Sequence, residues 1–196
     1  MMATLVVGPF YLSRALRLDP AVVGIFMSAG PLVAALTGVP GGRIVDRFGP
    51  PLVTTVGLIV MLAGCFTLST VPATLGLSGY IAPIVIVTAG YALFQAANNT
   101  GVMTDIRPDQ RGVIGGLLNL SRHLGVITGA SVMGAVFAHA SATTDVAAAR
   151  PEAVAAGMRI TFSVAAMLIV VALAIAVGAR ALLLKDPEAR RAATAY

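Results

Sequence analysis

Long apolar runs alternate along this chain with short segments that carry most of its charge. Residues 20–40 contain no Asp, Glu, Lys or Arg, and neither does the stretch from Phe48 to Thr104. A helix needs about 20 apolar residues to cross a bilayer, so the second stretch is long enough to cross twice. The Pro, Thr, Gly and Ser residues from Pro72 to Gly79 predict the turn between these two crossings.

Hydropathy divides the chain into a short first segment and five complete spans. Residues 1–12 reach only about 18 Å as a helix, against a hydrocarbon core of about 30 Å, so we interpret them as a truncated helix that starts outside this sequence. The complete spans are predicted at about 20–40, 52–71, 80–104, 112–138 and 158–184. A polar, alanine-rich loop, with room for a short surface helix, is expected at 139–157 and a solvated tail at 185–196. The predicted fold is all-α, a polytopic bundle of membrane helices over residues 1–184.

Composition supports the membrane assignment and disfavours a nucleic-acid partner. Hydrophobic residues make up 58% of the chain and charged residues 11%, whereas about a quarter of the residues in soluble domains are charged. The net charge of +5 is spread over interface loops, and no aromatic platform for stacking bases accompanies it. The lipid bilayer is therefore the expected partner.

The sequence offers no recognisable enzyme chemistry. Its only lysine, Lys185, lies in the tail, so the chain has no phosphate-binding loop of the Walker type. The single cysteine, Cys65, and the histidines His123 and His139 are too scattered to predict a metal site, and packing or interface roles are expected for them. We predict no catalytic residue, no metal and no cofactor, since the acidic residues nearest the spans sit at the interface: Asp46, Asp105 and Asp109.

Two charged segments resemble a known transporter family. The segment from Gly42 to Gly49 is predicted to form a compact turn, and its spacing, G-x-x-x-D-R-x-G, resembles the loop signature found in each six-helix half of the major facilitator superfamily. The segment from Arg107 to Gly112, in which Asp109 is a candidate N-cap, is followed by residues that resemble the drug:proton antiporter (multidrug efflux) branch: Gly115, Asn119, Arg122 and Gly125.

The resemblance implies the C-terminal half of a secondary active transporter that works by alternating access. It would act with a missing N-terminal half and export small organic solutes or drugs in exchange for protons. Asp46 would gate the pathway, with Gly42 and Gly49 shaping the turn and Arg43 and Arg47 anchoring it at the interface. A plain solvated turn is the alternative interpretation of Asp46 and Arg47.

Two other functions stay open, namely a sugar or metabolite permease of the same superfamily and a nontransporting, truncated membrane module that associates with a partner half.

For each of these functions the sequence predicts the same orientation in the membrane. Basic residues are more frequent in loops 41–51 and 105–111 and in the C-terminal tail than in the opposite loops. The positive-inside rule therefore places these three segments in the cytoplasm, in a protein of the cell (inner) membrane.

Polar side chains within the fourth and fifth spans are candidates for the solute path: Gln95, Asn98, Asn99, Asn119, Arg122 and His123. An ionisable group at membrane depth is costly unless it meets a partner or a water-filled cavity. In an antiparallel hairpin, Gln95 would lie level with Arg122 and Asn98 with Asn119, so these pairs could instead clamp the two helices together. Otherwise Arg122 would point into a central cavity, toward an anionic solute group or a carboxylate.

Small residues predict where helices approach one another closely. The pair Gly125 and Gly129 and the small residues of the 20–40 span are both expected on packed helix faces. No Asp or Glu lies inside a predicted span. A proton carrier is therefore expected in the missing half.

Overall fold

The described residues of the computed structural model, 2–70, 75–104, 106–141 and 150–185, form a bundle of helices without a strand. The chain begins with a short helix α1, Met2–Phe10, which widens into a π-helical turn, Tyr11–Ala15. The remaining helices follow in this order: α2 (Pro20–Met27), α3 (Ala29–Phe48), α4 (Pro50–Thr70), α5 (Gly76–Met103), α6 (Arg111–Ala140) and α7 (Pro151–Lys185). The all-α prediction is confirmed.

Five helical stretches among the described residues are long and apolar enough to cross a membrane, as predicted. The first runs from Pro20 to Phe48 and combines α2 and α3, which are separated only at Ser28. Pro20 suits the first position of a helix because its fixed φ is helical and no N–H is needed there. The Ser28 hydroxyl donates to the Ile25 carbonyl, 2.6 Å away, so the break leaves this hydroxyl satisfied.

The predicted turn from Gly42 to Gly49 is wrong over most of its length. Helix α3 continues to Phe48, and the change of direction falls on Gly49 alone, at φ 81° and ψ 150°. The segment is helical because Gly41 and Val45, one turn apart, pack against α5, and Val45 is only 2% exposed there. Helix α4 then begins at Pro50, directly after Gly49.

The last helix starts earlier than predicted. Helix α7 begins at Pro151, so residues 151–157 are helical instead of belonging to a loop. The reason is an apolar stripe at four-residue spacing, Val154, Met158 and Phe162, each of which is fully buried. The rest of the predicted loop, residues 142–149, and the tail from 186 to 196 lie outside the described residues.

The predictions for two other helix starts also need correction. Asp109 is not an N-cap, because α6 begins at Arg111 and Gln110 occupies the cap position without a side-chain hydrogen bond. Asp109 instead lies 3.8 Å from Arg107 in an exposed ion pair. Helix α5 is already formed at Gly76, within the turn predicted from 72 to 79. Residues 71–74, which include the start of that turn, and residue 105 lie outside the described residues.

Helices α4 and α5 pack with their backbones in close contact. A methyl group added at Gly57 would lie 2.7 Å from the Phe94 amide nitrogen, and one at Gly90 would lie 2.7 Å from that of Met61. A methyl group at Gly64 would similarly meet Val87 at 2.6 Å. Small residues allow such an approach where the hydrophobic effect gives helices no reason to associate.

The glycines of the 20–40 span, which the sequence predicted on packed helix faces, do not pack against a described helix. No described atom comes within 4 Å of the position that a side chain would take at Gly24, Gly30 or Gly38. The prediction of a tightly packed 20–40 span is therefore wrong for these glycines. In the sequence, only a spacing of seven residues distinguishes the packed glycines of α4 from other glycines, because it places Gly57 and Gly64 on one helix face.

A second packed region joins α1 to α5, α6 and α7. The Tyr11 and Tyr80 rings lie 5.4 Å apart, and the Phe10 and Phe137 rings 6.0 Å apart. Helix α6 packs on α1 and α7 but makes few contacts with α5. Because α5 and α6 are held apart by their neighbours, an open space remains between them.

We predict that Gly90→Ala destabilises the folded protein. Although alanine favours helices by about 1 kcal/mol over glycine, its methyl group would meet the α4 backbone, and overpacking costs about 1–3 kcal/mol. The melting temperature of the purified full-length protein, followed by circular dichroism in detergent, should fall by roughly 2–6 °C.

The matched control is Gly116→Ala on α6, where no described atom lies within 4 Å of the added methyl. This variant should melt at or above the wild-type temperature. Equal melting temperatures for both variants would contradict a close α4–α5 contact.

Candidate functional site

A cavity of about 490 Å³ opens between α1, α4, α5, α6 and α7. Its polar lining comes from Thr4, Gln95, Asn98, Asn99, Ser121 and Arg122. Its aromatic lining comes from Tyr91, Phe94 and Phe162. The volume lies within the range of about 300–1,000 Å³ that is usual for small-molecule sites.

Helix α5 contributes one continuous face to the cavity. Tyr91, Phe94, Gln95 and Asn98 are spaced three, one and three residues apart, so they line one side of the helix. The adjacent face carries Gly90 against α4. A single helix thus brings aromatic and amide groups to the same wall, and the wall's position is set by the glycine contact behind it.

Helix α6 forms the opposite wall, with Leu118, Arg122, Gly125 and Met133 among its lining residues. The proposed clamp is not formed. No hydrogen bond joins Gln95 to Arg122, or Asn98 to Asn119, among the contacts of the described residues. The equal depth of these residues in the bilayer was compatible with pairing. However, α5 and α6 make few contacts, so the pairs do not form. The structure places Arg122 at the cavity instead.

Two predicted pathway residues lie away from the cavity. Asn119 and His123 are exposed on another face of α6 and are absent from the lining. The His123 Nδ1 atom lies 2.8 Å from the Asn119 carbonyl oxygen, and since a carbonyl only accepts, the ring nitrogen donates. Placing these two residues on the solute path is not supported by this geometry.

The glycine pair of α6 also differs from its prediction. Gly125 lines the cavity, and no described atom lies within 4 Å of where its side chain would be. Gly129 lines it too, and a methyl group there would meet Met2 of α1 at 3.4 Å. The expectation of a tightly packed face is therefore wrong at Gly125, because α5 diverges from α6.

Sequence reasoning missed the apolar part of the lining, which includes Met61, Cys65, Val87, Met133, Phe162 and Ile169. The spacing of Tyr91 and Phe94 relative to Gln95 could have identified these two aromatic residues. Nothing in the sequence distinguishes Phe162 from other apolar residues of α7. Cys65 is buried, which agrees with its predicted packing role, although it also borders the cavity.

Arg122 is the one charged side chain among the described residues that line the cavity. Its guanidinium makes no salt bridge to a described carboxylate, since the bridge that the structure contains joins Arg107 and Asp109. A cation at this place in an apolar helix requires water, an anion or a partner. The cavity supplies the room for any of these.

The charged end of α3 is exposed. Arg43, Asp46 and Arg47 all face solvent, and the Arg47 guanidinium lies 5.6 Å from the centre of the Phe48 ring. Asp46 has no salt bridge within the described residues, and a carboxylate near the C-terminus of its own helix is placed unfavourably with respect to the helix dipole. Its gating role and the anchoring role of the arginines stay predictions.

No group of three His, Cys, Asp or Glu side chains that could hold a metal occurs within the described ranges. The candidate site is thus an amphipathic cavity in a bundle of membrane helices. Its walls can bind an organic solute but present no metal centre in the part of the chain that the structure describes.

Comparison with known proteins identifies the family of this bundle. A sequence model of the Major Facilitator Superfamily matches residues 1–195. The chain belongs to the Major Facilitator Superfamily. It is therefore a multi-pass membrane protein of a transporter family, as the charged segments suggested.

Individual superfamily members are similar over part of the chain. The uncharacterized transporter YebQ of Escherichia coli (strain K12) is 30% identical over 132 residues, which is 67% of this chain and 29% of YebQ. The riboflavin transporter RibZ of Clostridioides difficile (strain 630) is 27% identical over 130 residues, 66% of this chain and 28% of RibZ. The multidrug resistance protein MdtH of Citrobacter koseri is 31% identical over 111 residues, 56% of this chain and 26% of MdtH.

The matched region thus spans less than a third of the length of each of these superfamily members.

We predict that Gly49→Ala destabilises the turn after α3. A residue at φ 81° and ψ 150° occupies a region essentially restricted to glycine, so alanine should cost about 1–3 kcal/mol. Gly42→Ala is the matched control within the same signature, because Gly42 is helical and no described atom lies within 4 Å of the added methyl. Thermal unfolding of the full-length protein should show a loss for the first variant only. A tolerated Gly49→Ala would argue against this backbone conformation.

Proposed function

We propose that this chain forms one part of a secondary active transporter that exports small organic solutes by alternating access, driven by a proton gradient. The observation that carries the proposal is the open cavity, which Arg122 of α6 and three amide side chains of α5 line together. Polar groups at this depth are expensive unless they serve a water-filled path. Superfamily membership supports transport as the activity.

The names of similar proteins support an organic solute. RibZ is described as a riboflavin transporter, which also favours a metabolite permease as a second candidate. MdtH is described as a multidrug resistance protein, which favours export of drugs. Both descriptions fit a drug-sized cavity with aromatic walls.

We further propose that a second group of helices completes the pathway. Large apolar side chains of α3 and α6 are exposed in the described bundle, including Leu32, Leu36, Leu117 and Leu124. In transporters built from two repeated halves, the solute site lies between the halves. A second half would also supply the acidic proton carrier, since the predicted spans of this chain contain no Asp or Glu.

The exposed charged end of α3 is the proposed gate. Asp46 would contact a helix of the second half, where a helix N-terminus attracts a carboxylate by about 0.3–1 kcal/mol. Making and breaking this contact would bias the protein toward one conformation. The absence of a salt bridge to Asp46 among the described residues supports a partner elsewhere.

We predict that Gly125→Leu blocks transport without preventing folding. The leucine side chain would extend into the cavity, and no described atom lies close enough to Gly125 to force a rearrangement. Inside-out vesicles containing the full-length protein should accumulate riboflavin or a fluorescent drug at least about tenfold more slowly with this variant, as expected when a positioned solute is displaced.

The matched control is Gly178→Leu on α7, which also has no described atom within 4 Å but does not line the cavity. Its transport and abundance should equal those of the wild type. An ionophore that collapses the pH gradient should stop accumulation in the wild type. Normal transport by Gly125→Leu would contradict the assignment of this cavity to the solute path.

Orientation can be tested at both ends of the first complete span. Arg14 and Arg47 are exposed and flank the helices that run from Pro20 to Phe48. With Cys65 replaced by alanine, we predict that Arg14→Cys reacts with a membrane-impermeant maleimide added to intact cells and that Arg47→Cys reacts only after lysis. The reverse pattern would invert the proposed topology.

A further inference from the structure

The lining of the cavity separates into a polar end and an apolar end. Gln95, Asn98 and Asn99 lie in the last turns of α5, and Ser121 and Arg122 lie in the first half of α6, so all five approach the end near the α5–α6 connection. Farther from that connection, toward the start of α5 and in the second half of α6, the lining is mainly apolar and includes Val87 and Met133. A solute that fills the space must therefore itself be amphipathic.

The polar end is rich in donors and carries positive charge. The Arg122 guanidinium has five N–H donors, and the amides of Gln95, Asn98 and Asn99 add NH₂ groups. No Asp or Glu is among the described lining residues. A cation would thus meet no compensating charge on this wall, whereas a carboxylate, phosphate or sulfonate could bind the guanidinium through two parallel hydrogen bonds.

A protein carboxylate from elsewhere could also neutralise Arg122, but it would leave most of these donors unused. One carboxylate offers two oxygen atoms, whereas arginine and three neighbouring amides present donors on two facing helices. An acceptor-rich solute lying between α5 and α6 can satisfy several of them at once. The geometry therefore favours a solute anion over an internal ion pair.

The middle of the cavity is aromatic. Tyr91 and Phe94 lie on the same face of α5 as Gln95, and Phe162 approaches from α7. Aromatic walls favour flat aromatic ligands through offset or edge-to-face contacts. Because these rings lie next to the donor-rich end, a ring and an acidic group of one molecule could be held together.

We propose that the cavity selects planar aromatic anions, with the acidic group on Arg122 and the ring against Tyr91, Phe94 and Phe162. This inference rests on the proposed function, because it specifies the solute class of the same pathway. It distinguishes this chain from an exporter of lipophilic cations, which would need an acidic or purely aromatic wall.

The test uses three naphthalene probes that share a ring and differ in charge: naphthoate, naphthamide and naphthylmethylammonium. Each is titrated against the purified full-length protein, and apparent Kd values are obtained from the rise in melting temperature. We expect naphthoate to bind about ten- to a hundredfold more tightly than naphthamide, as a charge-assisted contact to arginine allows. The ammonium probe should bind most weakly.

Arg122→Gln should abolish the preference for naphthoate over naphthamide, because it should weaken naphthoate binding much more than naphthamide binding. Arg122→Lys should keep part of the preference, because charge is retained although the planar fork is lost. Arg111→Gln is the matched control, since Arg111 is exposed at the start of the same helix and does not line the cavity. It should leave the binding of all three probes unchanged.

The inference is overturned if the wild type binds none of the probes, prefers the ammonium probe, or does not distinguish naphthoate from naphthamide. Retention of the preference in Arg122→Gln would also overturn it. If the protein accumulates solute, Gly125→Leu blocks this accumulation and the protein shows no preference for anions, the inference is wrong but the proposed transport is supported. Arg122-dependent naphthoate binding without any accumulation would instead contradict transport and support the anion site.

Discussion

The close contact between α4 and α5 sets the geometry on which the cavity depends. Gly57 and Gly90 allow the two backbones to meet at a distance that no side chain could share. Because this contact fixes which face of α5 points toward α4, it also fixes the direction of the adjacent face. That adjacent face carries Tyr91, Phe94 and Gln95, so a packing constraint on one face of the helix positions candidate binding groups on the next.

Helix α5 contacts both the cavity and the charged end of α3. Val45, in the last turn before Asp46 and Arg47, packs in one cluster with Val53 and Ala97, against Leu93. Leu93 and Ala97 are the neighbours of cavity residues along α5. The exposed charges of α3 and the polar end of the cavity therefore lie on either side of one packed layer. The packing of Val45 in that layer keeps the charged segment helical as far as Phe48, so that only Gly49 forms the turn.

The number of spans could be predicted from the sequence because the cost of placing charge in hydrocarbon dominates local preferences. Helix ends were less predictable. Hydropathy alone predicted that the first complete span ends near Pro40, whereas the contact of Val45 with α5 extends the helix to Phe48. Similarly, Val154 and Met158 make α7 helical through a segment that looked like a polar, alanine-rich loop.

The cavity itself was only half predictable, because sequence spacing gives the depth of a residue but leaves the rotation of its helix and the distance to the next helix open. Gln95 and Arg122 were expected at one depth, and the structure places both on one cavity. Whether they touch depends on how each helix packs: α5 packs on α4, whereas α6 packs on α7 and on α1, where the Phe10 and Phe137 rings stack. Long-range packing of this kind turned a possible clamp between Gln95 and Arg122 into an open space, where Arg122 forms no salt bridge with a described carboxylate. The chemistry of the site follows from that separation.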